Sequence, residues 1–274
     1  MTPEPLTTPK APLGAAANPT RLAVEKLCLS FGGLKAVQDF SLQLPKLCLY
    51  GLIGPNGAGK TTVFNLLTGV YQPDNGQMQI DANQLRGLQP HQITAAGIAR
   101  TFQNIRLFSD LSVLDNVRLA GQLHCKNGLP TTLLRTRRFR AREAAIRERA
   151  YELLDIFEMQ PLATARAGGL SYGHQRRLEI IRALATDPKV LLLDEPAAGM
   201  NPKEKLDLAK SIRAIRDRFG IAILMIDHDM GLVMDICEQI TVLDHGVTIA
   251  HGPPTHIQND AKVIAAYLGG GPVA

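Results

Sequence analysis

The sequence predicts an α/β fold: a parallel-sheet core, a small antiparallel β subdomain beside it, and an inserted α-helical subdomain. Three observations point there. Residues 49–53, 190–193 and 221–226 are short apolar runs that end in glycine or carboxylates, as strands buried on both faces of a parallel sheet do. Residues 21–44 alternate instead, the pattern of an antiparallel hairpin with one covered face. Between about 110 and 185 helical spacing prevails and no clear strand appears. At 274 residues the chain can bury one such core with a subdomain inserted in it.

Composition narrows the class without naming a function. Hydrophobic residues at 45% and charged residues at 20% suit a globular α/β protein, and a net charge of +5 does not by itself indicate nucleic acid. No stretch approaches the ~18 uninterrupted apolar residues of a membrane span. Residues 1–20, rich in Pro, Ala and Thr, are expected to form a disordered tail rather than a secretory signal. Cys28, Cys48, Cys125 and Cys237 lack metal-type or redox-type spacing, so reduced thiols are expected.

In chain order, residues 21–31 read as a strand with an irregularity at Glu25-Lys26. Gly32-Gly33 turns the chain, and residues 37–44 return as a second strand that Pro45 ends. Phe31, at a strand end, suits stacking on an adenine ring or half-burial against the sheet. The strand at 49–53 then enters Gly54-Pro55-Asn56-Gly57-Ala58-Gly59-Lys60-Thr61-Thr62, which fits G-x-x-x-x-G-K-[ST]. Glycines at these positions let N–H groups of Asn56, Gly57, Ala58 and Gly59 close on phosphate oxygens. A helix follows over 60–68, with Val63, Phe64, Leu66 and Leu67 on its apolar face and Gly69 as its cap. Its positive end points at the phosphates, Lys60 reaches the β- and γ-phosphates, and the Thr61 hydroxyl serves Mg²⁺. Strand, loop and helix together imply nucleoside triphosphate binding.

Pro73-Asp74-Asn75-Gly76 predicts a turn, residues 77–80 a strand and 90–99 a helix. Gln103, in Arg100-Thr101-Phe102-Gln103-Asn104, is by itself an ordinary surface glutamine. Residues 111–123 open the helical region. The arginines at 135, 137, 138, 140, 142, 147 and 149 then make the most basic run, opposed only by Glu143 and Glu148. A solvated helix face, a membrane surface or acidic partner, and nucleic acid all fit it, though no interleaved aromatics offer stacking platforms for bases. Ser171 opens an apolar-periodic helix, where it serves as N-cap or as part of an anion site.

The run at 190–193 ends in Asp194-Glu195 and is stopped by Pro196. Parallel strands end where ligands sit, so the two carboxylates should emerge beside the phosphate loop, and alternation should send them different ways. Asp194 then suits the metal and Glu195 the attacking water. His228, after the strand at 221–226, can donate to a γ-phosphate oxygen. Residues 239–243 and 247–250 form a closing hairpin through Asp244-His245-Gly246, and 257–268 a last helix.

Taken together, the phosphate loop, Gln103, Leu170-Ser171-Tyr172-Gly173-His174, Asp194-Glu195 and His228 occur in the order of the ATP-binding-cassette ATPases, and the chain resembles that family from residue 21 onward. The resemblance implies a P-loop NTPase with a RecA-like core over 21–102 and 186–274 and a helical subdomain over 103–185. It implies ATP and Mg²⁺ as cofactors, with Phe31 near the adenine, Thr61, Gln103 and Asp194 at the metal, and Glu195 as catalytic base. His228 would meet the γ-phosphate. Ser171 and Gly173 of one subunit would contact the nucleotide held by Lys60 and Thr62 of another, in a head-to-tail dimer.

Arg100-Thr101-Phe102-Gln103, Arg176-Arg177-Leu178-Glu179-Ile180, Ala197-Ala198-Gly199-Met200-Asn201-Pro202 and Ala266-Tyr267-Leu268-Gly269 are similar to one branch, the ATP-binding subunits of bacterial uptake systems for branched-chain and other hydrophobic amino acids. That similarity implies a second ATPase subunit, identical or related, two integral membrane permeases, and indirectly a periplasmic binding protein. It places the chain on the cytoplasmic face of the inner membrane, with no nucleic acid partner. A lipid, lipopolysaccharide or urea transporter, or a soluble cassette acting on nucleic acid or ribosomes, is the alternative. The chain departs from the family at His174, where glutamine is usual, at Asn201 in place of aspartate, and at Lys46-Leu47-Cys48 in place of a Gly-Glu turn.

Overall fold

The structure, a computed structural model, describes residues 20–123 and 136–268. The tail expected over 1–20 lies, but for Thr20, outside the described residues, as do Cys125 and Arg135. Strands β1 (Thr20–Phe31) and β2 (Leu34–Pro45) form the expected hairpin, and pairing slips between Val24 and Leu27 where Lys26 adopts φ 47°. Next come β3 (Leu49–Ile53), α1 (Lys60–Leu67), β4 (Asn75–Ile80), β5 (Asn83–Gln84) and α2 (Pro90–Ala96). β4 starts two residues earlier than the sequence suggests, because Asn75 already pairs with Cys28 of β1.

Residues 90–99 are not one helix. Gly97, at φ 113°, ends α2, and Ile98–Arg100 form β6, parallel to the strand that ends in Asp194. The Gly97 carbonyl accepts from Lys189 and Val190, which locks that register. A run of three residues is too short for periodicity to declare a strand.

The helical segment holds α3 (Val113–Gly121), α4 (Arg137–Ile156) and α5 (Tyr172–Leu184). The chain then returns through β7 (Val190–Asp194), α6 (Pro202–Phe219), β8 (Ala222–Ile226), α7 (Met230–Ile236), β9 (Gln239–Asp244) and β10 (Val247–Gly252). The last helix is two, α8 (Pro254–Ile257) and α9 (Ala261–Leu268), because the Asp260 carboxylate accepts from the Lys262 and Val263 N–H groups and starts a new turn.

β2-β1-β4-β5 form an antiparallel sheet, and β10-β9-β3-β8-β7-β6 a second sheet, parallel except for β10. Alternation within the parallel strands explains their unbroken apolar runs. Leu191, Leu193, Ile223 and Met225 face a core shared with α3 to α7. Val190, Leu192, Ala222 and Leu224 face a second core shared with α1 and the antiparallel sheet. Both faces are covered, so the C-terminal ends of β3, β7 and β8 open on one common edge. That edge carries the site.

Candidate functional site

The loop after β3 is built against backbone. Gly54 takes φ 152°, and a Cβ there would lie 2.1 Å from the Leu243 carbonyl; Gly59 takes φ 100°, with the Ala36 carbonyl 2.7 Å from the same position. No other residue fits these two points. The loop is tied down by the Gly246 N–H donating to the Ala58 carbonyl at 2.9 Å, while the Gln38 N–H reaches the Gly246 carbonyl at 2.8 Å. These bonds bring the β1–β2 hairpin beside the loop. Phe31 ends β1 half exposed and meets Tyr71 edge-to-face at 5.2 Å between centroids.

Helix α1 starts at Gly59 without a side-chain cap, so its first-turn N–H groups, among them Lys60, Thr61 and Thr62, present the positive end of the helix. Asn56 and Gly57 are exposed above it and Ala58 is buried beneath. The Lys60 ammonium donates to the Gly54 and Pro55 carbonyls at 2.6 and 2.8 Å. Burial pulls its pKa below the ordinary lysine value, and the negative charge of Glu195 opposes that fall.

Two strands away, the chain leaves β7 through two carboxylates with different surroundings. Asp194 is buried and forms a 2.7 Å ion pair with Arg100 of β6, while its N–H donates to the Thr101 hydroxyl at 3.2 Å. Glu195 lies past the strand at φ 47°, so a left-handed turn, and not strand alternation, is what separates the two side chains. Its Oε2 accepts from Gln103 Nε2 at 2.8 Å, and His228 Nδ1 stands 3.8 Å from the same oxygen. Gln103, Glu195 and His228 thus converge, with Lys60 close enough to Glu195 to feel its charge.

Ser171 and Gly173 are elsewhere. They line a separate cleft with His174, Arg177, Met200 and Glu204, and no phosphate-loop residue contributes to it. Ser171 occupies the N-cap position of α5 but makes no capping bond; its Oγ lies 2.8 Å from His174 Nδ1.

Several organising residues escape sequence reading because they look like surface charges. Arg100 donates to Asn65 at 2.7 Å as well as to Asp194, and its guanidinium lies over the Phe64 and Phe102 rings. Buried Asp227 accepts from the Ala197 N–H at 3.3 Å and the Asp229 N–H at 2.9 Å, joining the loops after β7 and β8, and burial raises its pKa. Arg176, also buried, pairs with Glu179 at 3.1 Å and donates to the carbonyls of Phe102 and Gln103. It ties the start of α5 to the segment that carries Gln103. The sequence marks two of them only as members of motifs, without a role: Arg100 opens Arg100-Thr101-Phe102-Gln103, and Arg176 opens Arg176-Arg177-Leu178-Glu179-Ile180.

Residues 37–198 match the family model described as ABC transporter, and residues 247–272 match the one described as Branched-chain amino acid ATP-binding cassette transporter. The high-affinity branched-chain amino acid transport ATP-binding protein LivG of Salmonella typhimurium is 46% identical over 248 residues, 90% of this chain and 97% of LivG. The lipopolysaccharide export system ATP-binding protein LptB of Escherichia coli is 36% identical with the same coverage of both chains. A crystal structure of an ATP-binding cassette of an ABC transporter in its ADP conformation superposes with a TM-score of 0.80 at 29% identity, covering 92% of this chain and all of that one.

Proposed function

The chain belongs to the ABC transporter family, and we propose that it is the ATP-hydrolysing subunit that energises an importer of branched-chain or other hydrophobic amino acids. ATP binding and hydrolysis are the activity of this family. The carrying observation is the convergence of Gln103, Glu195 and His228, with the Lys60 ammonium within electrostatic reach of Glu195 and with Ser171 and Gly173 in a cleft of their own.

In this reading Asn56, Gly57, Ala58, Gly59, Lys60, Thr61 and Thr62 cradle the phosphates and Phe31 lies at the adenine. Glu195, held by Gln103, takes the proton of the attacking water, and His228 donates to the γ-phosphate. Thr61, Gln103 and Asp194 supply hard oxygen donors that fit Mg²⁺: Gln103 bonds Glu195 through nitrogen and leaves its oxygen for an ion, and Arg100 holds Oδ2 of Asp194 and leaves Oδ1. Among the described residues no group of three or more His, Cys, Asp or Glu could hold a metal alone, which suits an ion carried mainly by phosphates and water. Bound there, Mg²⁺ would neutralise charge on the β- and γ-phosphates. Because Ser171 and Gly173 do not reach their own phosphate loop, a second cassette, identical or related, must bring its loop to them.

Residues 21–102 and 186–274 then act as the core of one cassette domain and 103–185 as its helical part. Among the described residues no helix is long and apolar enough to cross a membrane, so transport requires permease subunits, two in this reading, with the chain on the cytoplasmic face of the inner membrane and a periplasmic binding protein beyond. An open cleft of about 220 Å³ lined by Val70, Pro90, Thr94, Phe102, Arg106 and Arg182 adjoins the Gln103 segment and would seat a permease loop. Lipopolysaccharide export is the second reading, favoured by the likeness to LptB; the match over residues 247–272 favours amino acids.

The test is to isolate the Glu195→Gln chain with ATP and Mg²⁺ from gently solubilised membranes. Two polytopic proteins and a second cassette support the importer. RNA, ribosomes or DNA in their place overturn it.

A further inference from the structure

We infer that His174 is a positioning residue that makes the Ser171 half of the ATP site responsive to pH; this rests on the composite-site reading above. A serine at an N-cap ordinarily accepts a backbone N–H from the first turn and keeps its own proton free. Ser171 does not. Its Oγ meets the Nδ1 of His174, three residues on, at 2.8 Å.

A hydroxyl has one proton, so the state of the imidazole decides where that proton points. When Nδ1 is bare, Ser171 donates to it and turns lone pairs toward any approaching phosphate oxygen, which repels the anion. When Nδ1 carries a proton, as it does in one neutral tautomer and always in the imidazolium, the ring donates to Ser171, and the hydroxyl is free to donate to the phosphate. The doubly protonated ring adds a positive charge one helical turn from that oxygen. Phosphate capture and protonation of His174 therefore favour each other, and by reciprocity each strengthens the other equally. A glutamine at this place would carry no charge at any pH in this range.

The surroundings do not cancel this effect. The charged groups that line the cleft with His174 are Arg177 on its own helix and Glu204 from α6, of opposite sign, and Met200 is neutral. Glu204 is already engaged, because its Oε2 accepts from the Asn201 N–H at 2.9 Å in the capping box of α6.

The experiment uses the complex isolated through this chain, with Glu195→Gln to stop turnover, and measures ATP affinity between about pH 8 and about pH 6, the span in which histidines change charge. Affinity is expected to rise about fivefold to tenfold toward acid pH. His174→Gln should abolish that slope, because an amide does not change charge over this span. The nucleotide's own titration is common to both and cancels in the comparison. An unchanged slope in His174→Gln overturns the role of His174. Ser171→Ala separates the two claims: if it weakens ATP retention while His174→Gln keeps the slope, the composite site stands and only the histidine's role falls. If Ser171→Ala leaves retention untouched, the composite site is wrong and the inference falls with it.

Discussion

At the scale of single residues, Lys60 and Glu195 divide binding from chemistry in the proposed reading. Lys60 sits on the loop with donors directed at its carbonyls, so Lys60→Ala should weaken ATP at least about tenfold, as loss of charged hydrogen bonds does, and isothermal titration reads this directly. Glu195→Gln keeps the bond partner of Gln103 but cannot take a proton; ATP should still bind while hydrolysis falls about 10²- to 10⁴-fold. Parent-rate turnover in that variant would mean another group handles the water. Asp227 offers a pH test of the frame that holds these residues. Burial raises its pKa, so the folded chain retains a proton that the unfolded chain has already released. Stability from this group is therefore complete below the ordinary carboxylate pKa and declines as pH rises through the raised value. Asp227→Asn removes a titrating group and sets an N–H₂ against one of two backbone donors, so it should be offset downward at all pH. The slope is the diagnostic: over that window the parent should lose stability relative to the variant, measured as denaturation midpoints against pH.

At the scale of elements, α5 and the segment after β6 act as one piece through Arg176. Its fork grips the Phe102 and Gln103 carbonyls, and its charge is matched by Glu179, whose pKa burial nonetheless raises. Arg176→Met should cost about 3 kcal/mol, because it removes the ion-pair partner of the buried Glu179 carboxylate, which keeps only the Arg106 N–H at 2.9 Å and the more distant charge of Arg182. Adding Glu179→Leu should recover part of that loss; chemical unfolding of the three proteins checks both numbers, and full additivity would dissolve the pair. This element also marks where the sequence stops being readable. The phosphate loop, the apolar strands and the closing hairpin are local patterns, and the fold follows them. Gly97 ending α2, β6 as an edge strand, and Asp260 splitting the last helix depend on single residues inside runs that keep their periodicity. Arg100, Arg176 and Asp227 each have a partner 94, 74 or 30 residues away in sequence, and those distant contacts, which no local pattern displays, are what set them apart from solvated charges.

At the scale of the whole molecule, the separation of the two half-sites sets a prediction that neither half makes alone. If two copies of this chain close head to tail, each site joins one copy's Lys60 to the other's Ser171. Lys60→Ala chains alone then carry a damaged loop in both sites, and Ser171→Arg chains alone a blocked cleft in both. In a mixed pair both defects fall into the same site, and the other site keeps an unaltered Lys60 and an unaltered Ser171. Random pairing of equal amounts makes half the dimers mixed, so ATPase activity should recover to about a quarter of the parent value, given two-fold symmetry and independent sites. A cassette that built its site within one chain would gain nothing on mixing, since every copy would keep its own defect. Recovery on mixing would thus trace the site across two chains, which is the arrangement that lets ATP binding draw two bodies together and hydrolysis release them.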